Sequence, residues 1–134
     1  MGSIMAVMEK RTASAPTLIR GAFDPAITDD GRVNAKVLAQ LLDLPLAALA
    51  PALGTSRRAL EVNPTAPKAQ ANARRLLTAM NELATNLTDK RYALFWLKTP
   101  YEAFAGKTAA DWLKDGDLDG VCTAINRLIV NQPD

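Results

Sequence analysis

The side chains that most often carry out chemistry in proteins are scarce in this chain of 134 residues. It has no histidine, the commonest general base and nitrogen metal ligand, and its single cysteine, Cys122, cannot complete a zinc site or an internal disulfide. Carboxylates cluster at Asp111, Asp115, Asp117 and Asp119, but this segment lacks the ligand spacing and the terminal glutamate of a calcium loop. We therefore expect no metal, no cofactor and no enzymatic activity, with the acidic cluster serving as helix caps and solvated turns.

Basic side chains are concentrated in the middle of the chain, although the whole sequence has 16 Lys and Arg residues against 14 Asp and Glu residues. Between residues 57 and 75, five basic residues accompany one acid, Glu61, which would repel a DNA backbone that it faced. A helix whose first turn is basic can contact phosphates or guanine edges, although three short helices can also simply build a core. The candidate DNA-binding residues are Thr55, Ser56, Arg57 and Arg58.

Capping signals and helical periodicity predict an all-α protein with a helix-turn-helix. Asn34 is a good N-cap for a first helix, Pro45 suits the first turn of a second, and Gly54 provides the turn before a third. That order is typical of a helix-turn-helix subdomain. We expect a flexible arm over residues 1–32, a helix-turn-helix-like domain with a long connecting helix over 33–87, and a small C-terminal helical bundle over 88–134.

The bundle and its connecting helix follow from the same signals. The periodicity predicts a long helix over residues 68–87 and a last helix over 118–130. Thr88 is expected to cap a helix that ends near Leu97, and Thr108 a further helix that stops before Gly116.

Six of the seven aromatic residues lie between residues 92 and 112. Large aromatic side chains are usually well buried, which predicts a bundle core. Tyr101 follows a proline in a loop, so we expect its ring to stay partly exposed and to contact a partner. The expected core residues are Phe95, Trp96, Phe104 and Trp112.

The C-terminal part combines, in order, a tryptophan, a proline, a hydrophobic residue, two glycines and an apolar tail. The residues are Trp96, Leu97, Pro100, Phe104, Gly106, Thr108, Leu113, Gly116, Val121, Ile125 and Leu128. Behind a helix-turn-helix-like segment, this pattern resembles the Xre/MbcA/ParS family of antitoxins, over about residues 33–130. The resemblance implies an antitoxin of a type II toxin–antitoxin system. Such a protein neutralises a RES-domain, NAD-consuming toxin by covering its active site, and often represses its own operon.

The partners that the resemblance implies are a RES-domain toxin protein, operator DNA and a second copy of the chain, as a homodimer within a toxin–antitoxin hetero-oligomer. Because the apolar helix faces are needed for the core, loops, polar flanks and the chain end remain for the toxin. Acidic side chains among them could exploit the positive field that attracts the diphosphate of NAD. The expected toxin-binding residues are Lys98, Tyr101, Glu102, Lys107, Asp111, Arg127, Asn131 and Gln132.

A stand-alone helix-turn-helix DNA-binding regulator, whose C-terminal bundle only dimerises, is the alternative interpretation. The two interpretations differ in what the isolated protein binds, which is a toxin in the first and operator DNA in the second. The first residues of the chain have no long apolar run and no later run reaches membrane-spanning length, so we expect a cytoplasmic protein without a membrane partner.

Overall fold

A computed structural model describes residues 21–131 of the chain. This part is all-α, as predicted, and holds seven α-helices and no strand. Short 3₁₀-helices cover Asp24–Ala26 and Glu102–Phe104. The α-helices are α1 (Ala35–Leu42), α2 (Leu46–Leu49), α3 (Arg57–Val62), α4 (Pro67–Asn86), α5 (Lys90–Leu97), α6 (Ala109–Lys114) and α7 (Leu118–Val130).

Side-chain caps fix several helix starts. The Asn34 carboxamide oxygen accepts the N–H groups of Lys36 and Val37 at 2.9 and 3.1 Å, which confirms the predicted cap of α1. Thr108 caps α6 in a reciprocal capping box with Asp111, also as predicted.

The predicted cap of α5 is wrong by one residue. Asp89 caps α5, since its carboxylate accepts the N–H of Arg91 at 2.8 Å. Thr88 has a φ of 63°, a left-handed conformation, and its hydroxyl donates to the Leu87 carbonyl oxygen at 2.6 Å.

Helices α1, α2 and α3 contact one another pairwise. α2 is only four residues long, because it ends before Pro51, whose ring and missing N–H do not fit a helix interior. The chain then turns through Gly54, which has a φ of 78°, before Ser56 caps α3.

The long helix α4 links the two halves of the described chain. Its N-terminal half hydrogen-bonds to earlier segments through Gln70 and Asn72, and its C-terminal half contacts α5 and α7. Helix α2 also contacts α6, so the buried side chains on both sides of the expected boundary at residue 87 belong to one contiguous cluster. Among residues 21–131, no helix combines the length and the apolar composition needed to cross a membrane.

The expected flexible arm over residues 1–32 is wrong for its last part, while residues 1–20 lie outside the described residues. Phe23 is 0% exposed, and its N–H donates to the Asn81 side-chain oxygen of α4 at 2.8 Å. Gln70 of α4 exchanges two hydrogen bonds with the backbone of Val33, at 2.7 and 2.9 Å. Residues 21–33 are therefore folded against α4, because these long-range polar contacts and Phe23 together offset the entropy of ordering them.

The expected aromatic core is wrong for Phe95, which is 70% exposed. The inner side of α5 is formed by Ala93 and Leu97, both buried. Residue 95 lies two positions from residue 93, about 200° around the helix, so its ring points away from the core. Tyr92, three residues before Phe95, is also exposed, at 60%.

Replacing Phe23 tests whether residues 21–33 are part of the folded core. We expect Phe23→Ala to lower the free energy of unfolding by about 3–5 kcal/mol, the usual cost of truncating a buried phenylalanine. The matched control, Phe95→Ala, removes the same ring from an exposed position and should cost about 0.5 kcal/mol or less. Urea denaturation followed by circular dichroism measures both. Equal destabilisation of the two variants would contradict the placement of Phe23.

Candidate functional site

An open groove of about 570 Å³ runs along α7. One wall comes from the loop after α5 and from α6, through Tyr101, Phe104 and Trp112. The other wall is a face of α7 whose residues recur at helical spacing over about 16 Å. The residues are Gly120, Thr123, Ala124, Arg127 and Leu128 of α7 and Asn131 directly after it.

The aromatic wall of the groove is a contiguous cluster of rings. Phe104 is buried, and its ring centroid lies 4.2 Å from that of Trp112 and 5.4 Å from that of Tyr101. Trp96 packs edge-on behind them, at 6.0 Å from Tyr101, and its Nε1 is buried without a hydrogen-bond partner among the described residues. Tyr101 and Trp112 are half-buried, so each ring packs on Phe104 and also lines the groove.

Glycine at position 120 lets Trp112 lie directly against α7. A Cβ atom at this position would lie 2.5 Å from Cζ3 of the Trp112 ring, closer than real Cβ atoms approach other atoms. The Trp112 ring therefore covers the first turn of α7, and any side chain at residue 120 would displace it.

The two ends of the groove differ in charge. At the N-terminal end of α7, Asp117 accepts the N–H of Gly120 at 2.8 Å, and Asp119 pairs with Arg75 of α4. The hydrogen bond from Arg75 to Asp119 raises the pKa of Arg75. At the other end, Arg127 forms no ion pair with the described carboxylates. Acids therefore cap and crosslink one end of the groove, while a guanidinium lines the other.

Three of the expected toxin-binding residues, Tyr101, Arg127 and Asn131, lie in this groove. Glu102 is exposed in the 3₁₀-helix that precedes Phe104. Gln132 lies outside the described residues.

The other expected toxin-binding residues form ion pairs or hydrogen bonds with residues outside the groove. Lys98 donates to Asp43 at the end of α1 at 2.6 Å, which lowers the pKa of that aspartate. The Nζ atom of Lys107 lies 3.5 Å from Oδ2 of Asp115, which makes an ion pair. Asp111 closes the α6 capping box, and the hydrogen bond from the Thr108 backbone N–H holds its pKa below the ordinary value. The two ion pairs are exposed, so Lys98 and Lys107 can each exchange their carboxylate for one on a partner at small cost.

The expected DNA-binding residues lie at the start of α3. Ser56 is its N-cap, with the side-chain oxygen accepting the N–H of Ala59 at 3.1 Å. Arg57 pairs with Glu61 one turn later, at 2.7 Å, and Arg58 is exposed. Thr55 is half-buried before the cap. Glu61, which would repel DNA, therefore also pairs with Arg57, one of the two candidate DNA-binding arginines.

Cys122 lies on the opposite side of α7, half-buried beside α4. Burial raises the pKa of its thiol, which favours the protonated, unreactive form. Within residues 21–131, no group of three or more acidic or cysteine side chains is placed to hold a metal ion.

The residues predicted for the site do not include Trp112, Thr123 or Gly120, which line the groove. The sequence predicts Trp112 as a core residue, although a large ring can bury one face and expose the other. The available signal was the spacing of small residues on α7, at positions 120, 123 and 124, on the side opposite its strongly apolar stripe.

Comparisons with protein-family models, with curated proteins and with solved structures found no match.

The contact between Gly120 and Trp112 predicts a reversal of the usual helix propensity. Alanine ordinarily stabilises a helix interior by up to about 1 kcal/mol relative to glycine. We expect Gly120→Ala instead to lower the free energy of unfolding by about 1 kcal/mol, because the new methyl group overlaps Trp112. The Trp112 indole N–H resonance should shift in the same variant. The control, Thr123→Ala on the exposed groove face, should be neutral within about 0.5 kcal/mol, and a Gly120→Ala protein more stable than the parent would contradict this packing.

Proposed function

We propose that this chain is the antitoxin of a type II toxin–antitoxin system, and that it neutralises a RES-domain, NAD-consuming toxin by covering the toxin's active site. The proposal starts from the ordered C-terminal pattern that resembles Xre/MbcA/ParS antitoxins. The observation that carries it further is that Tyr101, Arg127 and Asn131, expected on other grounds to face the toxin, line one open groove. A groove of aromatic rings and small residues suits a protein partner.

Charge supports the same assignment. A site that binds the diphosphate of NAD must be basic, so an inhibitor that covers it gains from acidic side chains nearby. Glu102 and Asp111 are both exposed on the segments that form the aromatic wall of the groove. We propose that Glu102 and Asp111 face the rim of the toxin's cleft, and that the groove binds a part of the toxin next to that rim. In this proposal the protein acts in the cytoplasm, as a homodimer within a hetero-oligomer.

The proposed function requires a cognate RES-domain toxin, which we expect to be encoded beside this gene, and binding to that protein tests the proposal. We expect the parent chain to bind it and to restore growth to cells that express it. Tyr101→Ala should weaken binding by about 2 kcal/mol, roughly 30-fold in Kd, because Tyr101 is a half-buried aromatic anchor in the groove. Calorimetric titration measures the Kd.

Two matched variants control for loss of structure. Tyr101→Phe keeps the ring packing and should bind within a few-fold of the parent. Tyr92→Ala removes an equally large ring that is 60% exposed on α5, outside the groove, and should bind like the parent. If Tyr92→Ala abolishes binding and Tyr101→Ala does not, the toxin-binding surface lies on α5. A parent chain that neither binds nor protects contradicts the antitoxin function itself.

The second candidate function is DNA binding through α3, either for autorepression or as the sole role. It is favoured by Arg58, which is exposed in the first turn of a capped helix. We expect the double variant Arg57→Ala, Arg58→Ala to reduce the slope of log affinity against log salt by about 0.9 for each phosphate that is no longer neutralised. Glu61→Gln is the control and should strengthen binding, because it releases Arg57 and removes an acid. Gel-shift titration with the operator over several salt concentrations measures the slopes, and unchanged slopes would exclude α3 as the reader.

A further inference from the structure

We propose that the α7 groove receives a segment of the partner protein that presents a bulky apolar side chain with a carboxylate beside it, the apolar group seated against Trp112 and the carboxylate paired with Arg127. The inference rests on the proposed function, since it defines how the partner is recognised.

The middle of the groove is suited to an apolar side chain. Phe104 and Trp112 provide the wall, with Trp112 in contact with α7 at Gly120, and Thr123 and Leu128 follow along the facing side of the helix. Beyond the contact at Gly120, the groove is open to one large apolar group from outside. Apolar surface of this kind, surrounded by polar groups, is the usual form of an interface centre.

The charge at the Arg127 end of the groove favours a carboxylate in the occupant. The acids lie at the opposite end, where Asp119 is paired with Arg75 and Asp117 accepts a hydrogen bond from the first turn of α7. Arg127 has no carboxylate partner among residues 21–131, and Asn131, one helical turn later, lines the groove on the same side. A guanidinium binds a carboxylate with two parallel hydrogen bonds, which fixes both orientation and register.

The dimensions indicate a polypeptide segment as the occupant. The α7 face from Gly120 to Asn131 extends for about 16 Å, the length of three helical turns or of about five extended residues. The groove is open along this length, whereas small-molecule sites enclose most of their ligand. A segment can lie along it and remain connected to its own domain at both ends.

Blocking the groove from an exposed position tests whether it is occupied. Thr123 is exposed on α7 and lines the groove, so Thr123→Trp fills the space while leaving the core unchanged. We expect it to weaken binding of the RES-domain toxin that the proposed function requires by 30-fold or more. Thr85→Trp makes the same substitution at an exposed position of α4 outside the groove and should stay within twofold of the parent. Thermal melts establish that both variants are folded.

Reversing the charge of Arg127 tests the carboxylate. Arg127→Glu should weaken binding at least 30-fold, Arg127→Lys should retain most of it, and one acidic-to-lysine substitution in the toxin should restore binding to Arg127→Glu.

If Thr123→Trp binds like the parent, the groove is empty in the complex and the inference is wrong. If Thr123→Trp blocks binding but Arg127→Glu does not, the stated chemistry of the occupant is wrong. If the parent chain itself fails to bind the toxin, the proposed function fails and this inference with it, so the two failures are distinguished by the parent protein alone.

Discussion

Burial of the apolar face of α4 is the interaction on which the described fold depends. Helices α1, α2, α3, α5 and α6 have eight residues or fewer, lengths at which an isolated helix is marginal in water. They persist because they pack into one cluster to which α4 contributes along its whole length. Its buried residues are Ala69, Ala73, Leu76, Leu77, Ala79, Met80, Leu83 and Ala84. The alternation of alanine with larger side chains lets neighbouring segments approach closely at several points.

The same constraint produces the groove. Val121 and Ile125 turn one side of α7 into the core, and Arg75 of α4 pairs with Asp119 to hold its first turn. The opposite side of α7 is then left facing the aromatic wall, with Leu128 as the large apolar residue among small and polar ones. A surface of this kind can act without a reacting group, because its shape and its charges select a partner. The proposed inhibition of a toxin needs nothing more than such a surface held rigid by α4.

Local sequence signals predicted the elements well, since caps and helix ends depend on a few adjacent residues. The bounds of α7 and the caps at Asn34 and Thr108 agree with the structure for that reason. The errors concern contacts between distant parts of the chain. Hydrophobicity assigns Phe95 to the core, but only the docking of α5 decides that Ala93 and Leu97 face inward. Phe23 lies in a segment without periodicity, and its burial depends on α4, more than fifty residues later.

The candidate site was predictable to the same degree. The sequence predicts Tyr101 because it lies in a loop and Arg127 because it lies on the polar side of a helix, and both features depend only on nearby residues. That they line one groove follows from the packing of α7 on α4, which places the loop after α5 opposite the last turns of α7. The ion-pair partners of Lys98 and Lys107 could likewise not be predicted, because Asp43 is distant from Lys98 in the chain and Asp115 lies on the far side of α6 from Lys107 in sequence.

Hydrogen–deuterium exchange of the full chain, alone and bound to the RES-domain toxin that the proposed function requires, tests most directly whether the α7 groove is the partner-binding surface. Exchange by the loop at residues 99–108 and by the last turns of α7 should slow on binding, because the occupant covers both walls. Exchange at α3 should not change. Slowed exchange at α3 or at the outer face of α5, with the groove segments unaltered, would contradict the account.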